Sequence, residues 1–98
     1  MLEGRDIKHK GLRALWVDDD RSGLKPEWVG RAARILQALD AAATPEDLRG
    51  VPSFGLHQLK GNRKGTWSVT VSRNYRIMFN WHDAGPRDVD LEDYHGRS

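Results

Sequence analysis

The sequence predicts an α+β domain in which a small antiparallel sheet of three to five strands packs on two or three N-terminal helices. Three observations carry that expectation. In the first half, apolar residues recur at helical spacing, as in Trp28, Ala32, Ile35 and Leu39. From Phe54 onward the period becomes two, the repeat of a strand with one buried face. The stretches "SRN" and "HDAGP" then divide the second half at intervals suited to short turns. The 98 residues form a single domain spanning 1–98, able to bury roughly 60% of the surface the unfolded chain exposes.

In chain order, "RDIKH" reads as a short strand, and Leu12, Leu15 and Trp16 follow with the i, i+3, i+4 spacing of a short amphipathic helix. The acidic, glycine-containing "DDDRSGLK" reads as a loop. Pro26 stands at a first helical position, and Trp28, Ala32, Ile35 and Leu39 line one stripe of the next helix, flanked by Val29 and Leu36. Arg31 and Arg34 fall off that stripe and read as a solvated face. "TPED" starts a short helical turn, with Thr44 as N-cap, Pro45 first, and Glu46 and Asp47 facing the positive end of the dipole, before Gly50 and Pro52 stop it. Trp67, Val69 and Val71 then alternate with Thr66, Ser68 and Thr70, and Tyr75, Ile77, Phe79 and Trp81 with Arg76, Met78 and Asn80. On a last strand Val89 and Leu91 face the core, with Asp88, Asp90 and Glu92 opposite. The result is a meander of three or four strands covered on its apolar face by the Trp28 helix, with Trp16, Trp28, Trp67 and Trp81 as core residues.

Charge is distributed unevenly beneath a net value of +2. No acid lies between Asp47 and Asp83, an interval that carries Arg49, Lys60, Arg63, Lys64, Arg73, Arg76 and His57. Such a segment suits a polyanion, because each phosphate contacted releases condensed counterions. The second sheet face, with Ser68, Thr70, Arg76, Met78 and Asn80, is expected to meet water or a ligand, with Arg73 near the turn and the "LKGNRKG" loop leading in. Arginine offers a planar fork for two phosphate oxygens and lysine a point charge, while Gly61 and Gly65 would let backbone approach closely.

Without cysteine, neither a disulfide framework nor a Cys-based zinc site can form. The four histidines lack helical ligand spacing, so no metal and no cofactor is expected. No apolar run reaches the length of a membrane span, and "MLEGRDIKHK" lacks the apolar stretch of a signal peptide, so a cytoplasmic protein without membrane contact is expected. The chain closes on "VDLEDYHGRS", where Asp93, Tyr94 and His95 can move or orient protons. Strict alternation puts Asp93 on the parity of Val89 and Leu91, so it should point inward unless the strand ends first or a buried cation holds it.

The string "LHQLKGNRKGTWSVTVSRNYRIMFNW" from Leu56 to Trp81, followed by "DVDLEDYH" from Asp88 to His95 and preceded by "LDAAATPEDLRGVP" from Leu39 to Pro52, resembles the HigB family of bacterial toxins within the RelE superfamily. The resemblance implies a RelE-like toxin that enters the A site of the 70S ribosome, against 16S rRNA, and cleaves translated mRNA, held inactive by a HigA-like helix-turn-helix antitoxin. It implies catalytic roles for His57, Asp93, Tyr94, His95 and Arg73, and RNA contacts for Lys60 and Arg76; Arg63 and Lys64 join the latter through the cationic loop. Cleavage would need no metal, because the RNA 2′-hydroxyl already lies beside the scissile phosphate. His57 and His95 are both candidates for base and acid. The chain departs from the pattern in its longer start "MLEGRD", the acidic "VDDDRSG" loop and Asn74-Tyr75. Two alternatives belong to other classes: a ParE-like toxin that binds DNA gyrase without cutting RNA, and a plain RNA-binding module.

Overall fold

The computed structural model describes residues 1–59, 61, 65–82 and 85–93. Two helices, α1 (Lys10–Asp18) and α2 (Pro26–Ala41), precede four strands, β1 (His57–Gln58), β2 (Thr66–Thr70), β3 (Tyr75–His82) and β4 (Gly85–Asp93). Short 3₁₀ turns occupy Gly4–Asp6, Pro45–Gly50 and Pro52–Phe54. The strands pair antiparallel in the order β1-β2-β3-β4, the meander expected from the short turns.

Local chemistry sets the helix starts. His9 caps α1, its Nδ1 accepting from the backbone N–H groups of Gly11 at 3.1 Å and Leu12 at 3.2 Å. Pro26 opens α2, where its missing N–H costs nothing. Thr44 and Asp47 form a reciprocal capping box at the start of the Pro45–Gly50 turn.

The core lies between the helices and one sheet face. Leu12, Ile35, Leu36 and Leu39 from α1 and α2 meet Val69, Ile77, Phe79 and Val89 from the strands, all of them fully buried. Each such side chain contributes roughly 1.5–3 kcal/mol by leaving water. Trp28 and Trp67 belong to this core, whereas Trp16 and Trp81 are half-buried against its margin.

Three expectations need correction. "RDIKH" is a 3₁₀ turn followed at Ile7 by a single parallel bridge to Val89, with Lys8 N–H donating to the Val89 carbonyl at 2.6 Å. This straps the N-terminal segment along the outer edge of β4, where a buried Asp6 pairs with Arg87 at 3.2 Å. Arg31 is not solvated but half-buried. Its Nε donates to the Thr70 carbonyl at 2.7 Å and its Nη2 to the Ser53 carbonyl, which ties α2 to the end of β2. Finally, Ser68 and Met78 are buried although they lie on the face expected to meet water. They are central in the sheet, Ser68 between β1 and β3 and Met78 between β2 and β4.

A bulge completes the sheet. Met78 pairs with Asp90 but Asn80 with Arg87, so Asp88 and Val89 together face Phe79, and Asp88 takes a left-handed φ of 54°. The bulge sends Val89 into the core and leaves Asp90 and Glu92 on the outer face.

Candidate active site

Cross-strand pairing assigns each outer-face residue to a row, because directly opposed residues point the same way. His57, Ser68, Met78 and Asp90 form one row across the four strands. Thr70, Arg76 and Glu92 form the next, toward the β2–β3 turn. Thr66 and Asn80 lie on the other side. His57 is exposed and Arg76 half-buried, so the sheet brings these two predicted site residues onto one face in adjacent rows. Arg76 Nη1 donates to Ser68 Oγ at 3.2 Å, linking its own row to that of His57.

The remaining polar groups of this face are fixed as well. Thr66 Oγ1 donates to Asn80 Oδ1 at 2.7 Å, and Asn80 Nδ2 donates to Asp88 Oδ2 at 2.9 Å, a ladder spanning three strands. Asp88, Asp90 and Glu92 make the β4 side of the face acidic, and with Lys8 they line a shallow depression of about 90 Å³. The face is therefore divided, with His57 and Arg76 toward β1–β3 and the carboxylates along β4.

Arg73 lies elsewhere. It is exposed in the β2–β3 turn, beside a cavity of about 280 Å³ that Lys25, Trp28 and Tyr75 also line. There the Trp28 and Tyr75 rings meet at 4.6 Å and Lys25 sits 5.1 Å from the Trp28 ring. Asp93 ends β4 directly opposite Tyr75, so it reaches the same end of the sheet as Arg73. It keeps the inward parity of Val89, yet it is exposed at the end of the strand. Lys60, Arg63, Lys64, Tyr94 and His95 lie outside the described residues.

Gly61 and Gly65, at the edges of the cationic loop, take φ values of 69° and 94°, and a Cβ at either would meet nothing within 4 Å. Both conformations lie in the left-handed region that glycine adopts without strain. Two carboxylates are held below the ordinary range, and neither belongs to this face. Asp20 is stabilised by hydrogen bonds from the Ser22 backbone and hydroxyl, and Asp47 by the backbone N–H groups of Ala43 and Thr44.

Sequence reasoning missed Ser68 as a partner of Arg76 and Glu92 as its cross-strand neighbour. Register counted from the turn "SRN" would have found Ser68, whereas Glu92 depends on the register from "HDAGP" and on the β4 bulge, which the sequence does not mark.

Residues 5–95 match the profile of the HigB-like toxin family, described as the RelE-like toxin of type II toxin-antitoxin system HigB. The chain belongs to this family. It is 38% identical over 91 residues to the protein named Endoribonuclease HigB of Proteus vulgaris, covering 93% of this chain and 98% of that one. It is also 39% identical over 80 residues to Toxin HigB-1 of Vibrio cholerae serotype O1, covering 81% and 84% respectively. In this HigB-family toxin the α+β architecture expected from the resemblance is the one observed. Among the described residues, no helix is long and apolar enough to cross a membrane.

Proposed function

We propose that this HigB-family toxin is a cytoplasmic endoribonuclease that cleaves translated mRNA in the ribosomal A site. The observation that carries the reading is the placement of His57 and Arg76 in adjacent rows of one sheet face. The near-full-length similarity to a protein named as an endoribonuclease supports it. Cleavage proceeds by attack of the RNA 2′-hydroxyl on its neighbouring phosphate, with expulsion of the 5′-oxygen. Arg76 neutralises charge that builds on the phosphoryl oxygens, a contact worth on the order of 3 kcal/mol, while Arg73, set apart in the β2–β3 turn, supplies a second cation to the bound RNA from that end of the sheet. His57 and His95 move the protons, Asp93 orients an imidazole, and Tyr94 stacks on a base or donates to the phosphate.

The acidic side of the face supports the same path. Asp88, Asp90 and Glu92 repel a phosphate backbone, which confines the RNA to the β1–β3 half where His57 and Arg76 lie. Lys60, Arg63 and Lys64 contact the RNA as well. The 70S ribosome with its 16S rRNA presents the mRNA, and a HigA-like helix-turn-helix antitoxin restrains the toxin.

Mapping new RNA 5′ ends after induced expression tests this reading. Wild-type expression should arrest growth and create ends within translated mRNAs, and His95→Ala should abolish both. Intact transcripts accompanied by DNA breaks would instead indicate a ParE-like toxin. Salt-sensitive RNA binding without cleavage, on ribosomes or off, would indicate a binding module.

A further inference from the structure

Ser68 is a polar residue with no exposed surface, set in a strand between Trp67 and Val69, both core residues. A hydroxyl in such a place costs about 1–3 kcal/mol if unpaired, and Ser68 Oγ accepts from Arg76 Nη1 at 3.2 Å. That bond runs against the simplest pairing. Arg76 is opposed directly by Thr70 on β2 and by Glu92 on β4, so the link to Ser68 is diagonal, one row toward the residue that faces His57. The diagonal separation of about 7–8 Å is within reach of an arginine.

We propose that Ser68 is a positioning residue that draws the Arg76 guanidinium over the row occupied by His57. The proposal rests on the endoribonuclease reading and adds to it a reason for the arginine's aim. Thr70 and Glu92 share Arg76's own row, so the Ser68 bond is what directs the guanidinium toward the neighbouring row that His57 occupies. Serine supplies a neutral acceptor, so its bond orients the guanidinium without cancelling its charge. The Ser68 bond is not the only interaction of Arg76, so its loss weakens the arginine's placement without abolishing it.

The test is a double-mutant cycle on purified toxin cutting mRNA in a reconstituted translation system, with thermal melts confirming that each variant is folded. Ser68→Ala should slow kcat about 10-fold, the value of one hydrogen bond to a charged group. Its KM for programmed ribosomes should stay within about 2-fold, because the bond acts at the reacting phosphate rather than in docking. Ser68→Ala/Arg76→Ala should be no slower than Arg76→Ala alone, since the serine acts only through the arginine. Folded Ser68→Ala cutting at the parental rate, or a double variant showing the product of both losses, overturns the positioning role and leaves the endoribonuclease reading intact. If Arg76→Ala itself cuts at the parental rate, the assigned role of Arg76 fails and the positioning role with it.

Discussion

The two faces of this sheet share one backbone and hold their side chains by different physics. On the inner face Trp67, Val69, Ile77, Phe79 and Val89 are buried against α1 and α2, and shape and volume decide whether they fit. On the outer face the same strands carry Thr66, Ser68, Arg76 and Asn80, and each of these is fixed by a hydrogen bond to a neighbouring strand. Disturbing the inner face should damage the fold first. Disturbing the outer face should damage the reaction first.

Thr70 brings the contrast down to two arginines. Arg31 approaches from α2 and donates to the Thr70 carbonyl, while Arg76 lies opposite Thr70 across the sheet and turns to Ser68. Both are half-buried, so exposure alone does not separate them. Arg31 closes backbone acceptors of β2 and the Pro52–Phe54 turn, a structural task, whereas Arg76 points its charge along the face that holds His57.

The largest expected effect breaks the comparison from the inner side. Phe79→Ala removes a fully buried ring and should cost about 3–5 kcal/mol, much of the stability of a domain this size, as a urea titration would show. Loss of cleavage in that variant should track the unfolded fraction. On the outer side, Arg76→Ala should lower the cleavage rate about 10²–10³-fold, measured in single-turnover assays. Its stability should fall by only about 1–2 kcal/mol, the cost of leaving the Ser68 hydroxyl without this donor. Arg31→Ala should behave in the opposite way. It leaves two carbonyls without their charged donor and should cost about 1.5–3 kcal/mol in denaturant titrations, with cleavage by the folded fraction unchanged.

The smallest effect lies away from the sheet. Backbone hydrogen bonds from Ala43 and Thr44 hold the Asp47 carboxyl below its ordinary pKa, so it is the ionised form that the fold favours. The stabilisation is complete above the unfolded value of about 3.9 and is lost as pH falls through the lower folded value. Asp47→Asn should flatten that acid limb in melts recorded from pH 5 down to about 2, and an unchanged limb would show that the carboxylate does not contribute.

How much could be read beforehand follows the same division. The stripe of Trp28, Ala32, Ile35 and Leu39 and the alternation of Ile77 and Phe79 gave the layers correctly, because periodicity reports burial directly. Alternation also placed Arg76 and Asn80 on the outer face. It could not show that Ser68 is buried there, since that depends on strands to either side, nor that Arg31 reaches a carbonyl 39 residues away. Asp93 keeps the inward parity that alternation gives it, but its exposure is a property of the packed layers that no strand pattern encodes. The left-handed Asp88 was equally hidden, because a bulge is set by pairing and not by composition.

The central claim is that the outer face carries the reaction while the inner face carries the fold. Its most direct test compares folded Arg76→Ala with folded Arg31→Ala in one reconstituted translation reaction, reading cleavage ends on the mRNA at matched amounts of native protein. The account predicts that Arg31→Ala cuts at the wild-type rate and Arg76→Ala at about a hundredth of it or less. Equal rates for the two variants, or a greater loss with Arg31→Ala, would contradict it.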